Sequence, residues 1–345
     1  MLSIEKAIGD ISPEYLYTKD AFKRMYDVLG EDAKEMGSAN MDRPEEKKNN
    51  TEIGILPNFI CPGAMKSGTS TLYKILSQHP DIYMPYKEIR YFSRDHWGKG
   101  CEWYLRQFSN HNGEEIVGEM SPQYMFTPEA PERIYQTLGS SVKFIFMLRN
   151  PAERAYSHYR MHKRYRLGVK PFDIITEEEI RGEKKDIIHK GLYASQIKRF
   201  LNFFPIGNMK FVLFENFVRN QKQVAEEIFD FLGVNRLENN RYDLHEYVDF
   251  MYKHEKLYKA ELKIVYLIQK YIIRVLYKDK DTKYKKYRSL LHKAVVSTQK
   301  SNHELPKPPT EVIRKLLDFY LDDIEELERI VGINLDIWKT VSEEN

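Results

Sequence analysis

The stretch NFICPGAMKSGTSTLYKIL, residues 58–76, predicts a buried strand that enters a helix through a loop of small residues. Gly63 and Gly68 allow backbone N–H groups to converge on an anion, and the helix that follows adds the positive end of its dipole. Lys66 precedes the second glycine, whereas the lysine of a Walker A loop, GxxxxGK[ST], follows it. The loop therefore predicts a phosphate site of a different kind, with a plain glycine turn between strand and helix as the alternative.

Short apolar runs alternate with helical patterns along the segment that starts at this loop. The runs with the character of buried strands are NFIC, IVGE, VKFIFML and MKFVLF. The helical patterns that follow them are TSTLYKILSQ, PEAPERIYQTL, PAERAYSHYRMHKRY and NQKQVAEEIFDFLG. This alternation is typical of an α/β fold with a central, mostly parallel sheet flanked by helices.

Additional helices are predicted on both sides of this α/β segment. Residues 1–52 combine a helical pattern with a polar linker, and residues 53–345 form the main domain with a helical insertion at about 250–290. Within the insertion, residues 256–278 form a basic amphipathic pattern, which we expect to pack on the core. Peripheral contact with an anionic membrane surface is the alternative. In the C-terminal third, PPTEVIRKLLDFYLDDIEELERIVGI predicts a long helix.

Composition narrows the class of protein without identifying its substrate. With 54 Lys and Arg against 51 Asp and Glu, the formal charge of +3 gives no overall field for nucleic acid, so we expect no nucleic-acid partner. Two cysteines, Cys61 and Cys101, favour a reducing compartment. The sequence shows neither a signal-peptide pattern nor an apolar run of membrane-spanning length. We therefore predict a cytoplasmic protein; its oligomeric state stays open.

A further candidate anion site lies in VKFIFMLRNPAERAYSHYR, residues 142–160. Arg149 follows a buried strand directly, where its guanidinium can contact phosphate in a bidentate manner. Ser157 lies eight residues further on, two turns into the next helix and facing back over the strand end. Arg154 is expected to make structural contacts. Arg149 and Ser157 are therefore candidate anion ligands in addition to the loop at Lys66.

A carboxylate in PYKEIRYFS, residues 85–93, is a candidate proton acceptor. Glu88 lies 22 residues after Lys66, and a carboxylate within hydrogen-bond reach of a hydroxyl can take its proton during group transfer. The alternative interpretation is a charged turn in which Glu88 pairs with Lys87 or Arg90.

Taken together, KSGTS, RNPAERAYS and KEIRYF resemble the sulfotransferases that use 3'-phosphoadenosine 5'-phosphosulfate (PAPS), in particular the heparan-sulfate-type and bacterial branch. The resemblance implies a P-loop NTPase-like sulfotransferase fold and transfer of a sulfuryl group from PAPS to an acceptor. The implied acceptor is a hydroxyl, in preference to an amine, of a carbohydrate, lipid or small molecule. Adenosine 3',5'-bisphosphate (PAP) is the implied product, and no metal is required.

The resemblance also assigns roles to individual residues. Lys66 would stabilise the leaving phosphate and Glu88 would act as general base. Nucleotide contacts are implied for the loop, for the arginine and serine segment, for GLYASQIKRFLNFFP and for STQKSNHELPK; the residues are Lys66, Ser67, Gly68, Thr69, Ser70, Thr71, Arg149, Ser157, Tyr193, Phe200, Lys300, Ser301 and Asn302. Met120 departs from the pattern, because heparan-type enzymes commonly have lysine there. Its presence argues against a sulfated polysaccharide acceptor.

Two other functions remain open from the sequence. A P-loop kinase acting on a nucleoside or small molecule with ATP and magnesium would need an acid at a strand end, for which Glu215 is a candidate. A non-catalytic nucleotide-binding or membrane-surface protein would instead depend on the basic pattern at residues 256–278.

Overall fold

A computed structural model describes residues 55–85, 88–94, 96–165, 169–237, 242, 251–252, 300–301 and 308–340. Its central sheet contains five strands in the order β2-β3-β1-β4-β5. The strands are β1 (Phe59–Gly63), β2 (Ile82–Tyr83), β3 (Ile116–Met120), β4 (Lys143–Leu148) and β5 (Met209–Leu213). Every pairing in this sheet is parallel, which confirms the predicted α/β architecture.

Helices follow the strands as the sequence patterns predict. They are α1 (Thr69–Leu76), α2 (Cys101–Leu105), α3 (Ala130–Leu138), α4 (Pro151–Tyr165), α5 (Phe172–Ile180), α6 (Tyr193–Leu201), α7 (Phe214–Arg219), α8 (Gln221–Leu232) and α9 (Thr310–Val331). Helix α9 begins after Pro309 and ends at Gly332, as its sequence predicts. A separate antiparallel ladder joins β6 (Met251–Tyr252) to β7 (Lys300–Ser301).

The core lies on both faces of the sheet, because helices cover both of them. Alternate residues of β1 and β4 enter opposite clusters: Ile60 and Phe144 contribute to one, whereas Phe59 and Ile145 contribute to the other. Strands buried on both sides read as continuous apolar runs, which explains why VKFIFML was recognisable as a strand.

Parallel strands bring their carboxyl ends to one edge of the sheet. The loops after β1, β3, β4 and β5 therefore lie together at that edge. Strands β1 and β4 are neighbours, and the chain leaves β1 towards β2 at one edge of the sheet but leaves β4 towards β5 at the other. Such a switch point opens a crevice in which ligands of α/β proteins bind.

Several predictions lie outside the residues that the structure describes. These are the N-terminal extension and linker at residues 1–52 and the basic pattern at residues 256–278. The predicted domain boundary near residue 53 and most of the predicted insertion at about 250–290 also lie there. Within the described ranges, no helix combines the length and the apolar composition needed to cross a bilayer.

Candidate active site

The loop after β1 is shaped by Gly68, which precedes α1. Gly68 has a left-handed backbone, φ 84°, and its carbonyl accepts hydrogen bonds from the N–H groups of Thr71 and Leu72. A Cβ atom at this position would lie 3.1 Å from Cδ2 of Phe214. Both the backbone angle and the close aromatic ring therefore require glycine here.

The amino-terminal end of α1 offers its positive dipole to the crevice. The first turn of α1, which starts at Thr69, contains no acidic residue that would neutralise this end. Lys66 also has a left-handed backbone, φ 71°, which is uncommon for a residue with a Cβ atom. Strained residues of this kind cluster at ligand-binding sites. This geometry fits an anion held by the loop, with Lys66 beside it.

Arg149 extends from the end of β4 towards the same loop. Its Nη1 atom donates to the Lys66 carbonyl at 3.4 Å, and its Nη2 atom lies 3.0 Å from Oε2 of Glu153. The guanidinium carbon lies 4.5 Å from the centre of the Phe214 ring. The buried Nε atom has no hydrogen-bond partner. Arg149 is thus held beside the loop with donor capacity left for a ligand.

Tyr193 and Phe200 differ in their relation to this edge. The buried hydroxyl of Tyr193 donates to the Arg149 carbonyl at 2.9 Å, so Tyr193 fixes the backbone of the predicted phosphate ligand. Phe200 has no exposed surface and packs edge-on against Phe144 and Phe146. The structure therefore corrects the expectation for Phe200, whose ring belongs to the core and offers no face to a nucleotide.

Positive charge accumulates around the first half of α4. Arg154 is fully buried and donates to the Ile187 carbonyl, while its Nε and Nη1 atoms have no hydrogen-bond partner. Burial holds the pKa of His158 far below its usual range, and the charges of Arg154, Lys190, His162 and Lys66 lower it further. His158 is therefore neutral at physiological pH. The basic side chains that lower its pKa form an electropositive region suited to an anionic ligand.

Glu88 lies on the other side of the crevice, close to the end of β3. Its N–H group donates to the Met120 carbonyl at 2.8 Å. Glu88 and Arg90 both have left-handed backbones, with φ 66° and 58°. Their side chains form an ion pair at 2.5 Å, as the charged-turn interpretation expected. This pair leaves both side chains partly exposed to solvent.

Comparison with known proteins agrees with this arrangement. Residues 57–292 match the family described as Sulfotransferase domain. The chain belongs to the sulfotransferase domain family. The recognition of that family from KSGTS, RNPAERAYS and KEIRYF is thereby confirmed.

Individual relatives of this sulfotransferase domain include enzymes named for heparan sulfate. Human heparan sulfate glucosamine 3-O-sulfotransferase 5 is 32% identical over 164 residues, 44% of this chain and 46% of that protein. Mouse heparan sulfate glucosamine 3-O-sulfotransferase 3B1 is 32% identical over 186 residues, 53% of this chain and 47% of that protein. The chain thus spans about half the length of these relatives.

A solved bacterial structure covers more of the sulfotransferase domain. The sulfotransferase from Alicyclobacillus acidocaldarius superposes with a TM-score of 0.58 at 27% sequence identity. The match covers 83% of this chain and all of that one. The expected P-loop-like α/β sulfotransferase fold is thereby confirmed.

One group of side chains in the sulfotransferase domain has the residue types of a metal site. Candidate ligand atoms of His158, His162 and Asp186 all lie within 4.8 Å of one another. Asp186, however, forms an ion pair with Lys190 at 2.6 Å, and Arg154 adds positive charge nearby. A divalent cation would meet this positive charge and would have to displace Lys190. The electrostatics of the cluster therefore disfavour a metal ion.

Glu215, the candidate acid for a kinase, has a different role. Its Oε1 atom accepts a hydrogen bond from the N–H group of Asn150 at 2.8 Å, and the Asn150 side chain in turn caps the start of α4. Glu215 thus holds the loop that carries Arg149. The kinase alternative gains no support from it.

Two other predictions concern the acceptor and the 3'-phosphate. Met120 is buried in the core cluster of Phe59 and Cys61. The expectation that methionine at this position disfavours a sulfated polysaccharide acceptor stays a prediction. Lys300 and Ser301 form β7, of which only the backbone is described, and Asn302 lies outside the described residues. Contacts of these three residues with a 3'-phosphate stay predictions.

A group that the sequence interpretation missed lies next to Met120, whose carbonyl accepts the Glu88 N–H group. Glu119 is buried at the end of β3 and contacts the hydroxyl groups of Tyr104, Ser121 and Tyr124. A charged residue inside the apolar run IVGEM was the available signal, because a buried carboxylate needs hydrogen-bond donors.

Proposed function

We propose that this sulfotransferase domain transfers the sulfuryl group of PAPS to a hydroxyl group of a carbohydrate. The observation that carries the proposal is the arrangement at one edge of the sheet. Lys66, the start of α1 and Arg149 lie on one side of the crevice, and Glu88 lies on the other. A doubly phosphorylated donor and an acceptor hydroxyl require such an arrangement.

The residues present fit the donor at both of its charged ends. The loop at Gly68 and the start of α1 suit the 5'-phosphosulfate, because N–H groups and the helix dipole favour an anion. Arg149, with its unpartnered Nε atom, and Ser157 suit the 3'-phosphate. When bound, PAPS supplies an activated sulfuryl group attached to a phosphate leaving group.

The chemistry assigned to the chain is positioning, charge stabilisation and proton transfer. The ammonium group of Lys66 would stabilise negative charge that develops on the departing phosphate, together with the N–H groups of the loop. Glu88 would accept the proton of the acceptor hydroxyl. Holding both reactants in line accelerates the reaction further, because the entropy lost in orienting them is compensated by binding energy before the chemical step.

The carbohydrate acceptor is supported by the relatives named for heparan sulfate glucosamine. A lipid or a small-molecule alcohol is the alternative that the sequence left open. A panel of labelled-sulfate transfer assays with a glucosamine-containing glycan, a glycolipid and a phenol separates these classes. We expect the glycan to give the highest kcat/KM; preference for the phenol or the glycolipid would refute the carbohydrate assignment.

We also propose a cytoplasmic location, which is supported by the two free thiols, Cys61 and Cys101. Fractionation of the producing cells tests it; recovery in an oxidising compartment would refute it.

The donor is tested by calorimetric titration of the whole chain with PAP and, separately, with ATP and magnesium. We expect PAP to bind at least about tenfold more tightly, since only PAP has a 3'-phosphate for Arg149. Tight binding of ATP and magnesium with no binding of PAP would overturn the proposal in favour of a kinase.

A further inference from the structure

We infer that Glu119 is a positioning residue, which holds the segment carrying Glu88 in place through two intervening hydroxyl groups. The inference rests on the proposed role of Glu88 as general base. It concerns residues 88–92, which we name the base segment, and the end of β3.

Glu119 is a buried carboxylate that is satisfied by hydroxyl groups alone. Tyr104 donates to its Oε2 atom at 2.5 Å, and Ser121 donates to its Oε1 atom at 2.8 Å. Tyr124 also donates to Oε1. Among the residues that the structure describes, no cation pairs with Glu119. Three donors from three different positions therefore replace the solvation that the carboxylate loses on burial.

Two of these three hydroxyl groups also contact the base segment. The Ser121 oxygen accepts the N–H group of Arg90 at 3.0 Å, and the Tyr124 oxygen accepts the N–H group of Phe92 at 3.2 Å. A hydroxyl has one proton, and here each directs it to Glu119. The carboxylate thus fixes the orientation in which both oxygens present their lone pairs to the backbone.

The contacts follow an alternating pattern along the base segment. The N–H groups of Glu88, Arg90 and Phe92 are donated in turn to the Met120 carbonyl, the Ser121 hydroxyl and the Tyr124 hydroxyl. The base segment is therefore attached to the end of β3 at three points, and two of them depend on Glu119.

The base segment needs such attachment because its backbone is strained. Glu88 and Arg90 are both left-handed, at φ 66° and 58°. Each such backbone conformation is unfavourable for a residue with a Cβ atom and persists only when its surroundings hold it. Without the two hydroxyl contacts, we expect the segment to relax and the carboxylate of Glu88 to lose its position. A displacement of about 1 Å in a reacting group can cost roughly 100-fold in rate.

Tyr104 supplies a matched control within the same cluster. Like Tyr124, it is fully buried and donates its hydroxyl to Glu119. Its ring stacks on Tyr91 at 4.4 Å, a contact that phenylalanine retains. The Tyr104 hydroxyl, unlike that of Tyr124, is not bonded to an N–H group of the base segment in the described structure. Removing either hydroxyl deprives Glu119 of one donor, but only Tyr124→Phe also frees the Phe92 amide.

The experiment compares Tyr124→Phe, Ser121→Ala and Tyr104→Phe in the full chain. Turnover is measured with labelled PAPS and the glycan, PAP affinity by calorimetry, and hydrogen exchange at the Arg90 and Phe92 amides by fragmentation mass spectrometry.

We expect kcat to fall about tenfold or more in Tyr124→Phe and Ser121→Ala, with PAP affinity within about twofold of wild type. Exchange should rise at Phe92 in the first variant and at Arg90 in the second. Tyr104→Phe should lose less than about threefold in kcat and leave both exchange rates unchanged.

Equal loss of turnover and equal exchange in Tyr104→Phe and Tyr124→Phe would overturn the inference, because Glu119 would then act only as part of the core. A second pair of variants, at Glu119 itself, controls for misfolding. In Glu119→Gln the amide oxygen can still accept hydrogen bonds from the Ser121 and Tyr124 hydroxyl groups, whereas the side chain of Glu119→Leu has no acceptor. We expect Glu119→Gln to retain at least about tenfold more turnover than Glu119→Leu.

Failure of the proposed base remains distinguishable from failure of this inference. Hydrogen exchange reports the order of the base segment whether or not Glu88 takes a proton. Normal turnover in Glu88→Gln would refute the base alone, and the exchange comparison would still decide the role of Glu119.

Discussion

The two sides of the crevice are stabilised in opposite ways. On the β4 side, the Nε atoms of Arg149 and Arg154 and the Nη1 atom of Arg154 are buried without a hydrogen-bond partner. On the β3 side, both carboxylate oxygens of Glu119 are engaged by hydroxyl groups. A buried donor without a partner is costly, so the first side gains from an anionic ligand. On the second side, the hydrogen bonds of the Glu119 carboxylate are complete before any ligand arrives.

We therefore assign nucleotide binding to the β4 side and positioning of the proposed base to the β3 side. Arg149 and the loop at Gly68 present positive charge whose partner is expected to come from the donor. Glu119 and its hydroxyl donors instead fix the backbone that carries Glu88. Substitutions on the first side should therefore change affinity for the nucleotide or stabilisation of its leaving group. Those on the second side should change turnover at unchanged nucleotide affinity.

The largest effect is expected for Lys66→Ala. Loss of a charge aimed at the developing phosphate should lower kcat on the order of 10³-fold. Lys74→Ala is the matched control, because Lys74 is exposed in the last turn of α1, the helix that follows the loop of Lys66. Steady-state assays with labelled PAPS measure both variants. Comparable losses in the two would show that Lys66 is not aimed at the leaving group.

Glu88→Gln should follow, with kcat lowered by about 10² to 10³-fold and PAP affinity within about twofold of wild type. Glutamine keeps the shape and the hydrogen-bonding capacity towards Arg90 but cannot accept a proton. Glu102→Gln, which changes an exposed ion pair, serves as the control. Turnover close to wild type in Glu88→Gln would exclude Glu88 as the general base.

Glu119 should make stability depend on pH. Burial raises its pKa to about 7 from an ordinary value of 4.5. The folded chain then binds the proton more tightly than the unfolded chain. The stabilisation that results is complete below the unfolded pKa and is lost as pH rises through the folded pKa. Between about pH 4.5 and pH 8, we expect the wild type to lose up to about 3 kcal/mol of unfolding free energy relative to Glu119→Gln. Urea unfolding of both proteins across this pH range tests the prediction. It would be contradicted if the unfolding free energies of wild type and Glu119→Gln changed in parallel with pH.

The smallest effect concerns Arg149 and its ion pair. Arg149→Ala should weaken PAP binding by about tenfold or more, with Arg149→Lys intermediate because it lacks the bidentate fork. Glu153→Ala should tighten binding by no more than about threefold, because its ion pair with Arg149 is partly exposed. Calorimetry with PAP measures all three. Unchanged affinity in Arg149→Ala would place the 3'-phosphate elsewhere.

Much of the fold could be predicted because its signals are local. Strands β1 and β4 are continuous apolar runs, and α9 is marked by a proline before it and a glycine after it. The two-residue strand β2 was missed, since so short a run has no detectable periodicity. Phe200 was misplaced because a core aromatic and a ring that contacts a ligand look alike in sequence.

By itself, the sequence determined the chain order of four of the five strands of the central sheet. It also singled out Lys66, Glu88 and Arg149 as candidates, because each follows from a local pattern or a fixed spacing. Tertiary structure decided which charges were left for a ligand and which were already satisfied. Arg90 and Ser121, for example, are 31 residues apart and meet only because the base segment lies against the end of β3. Hydrogen-bond partners that distant in the chain are set by packing, and no local pattern records them.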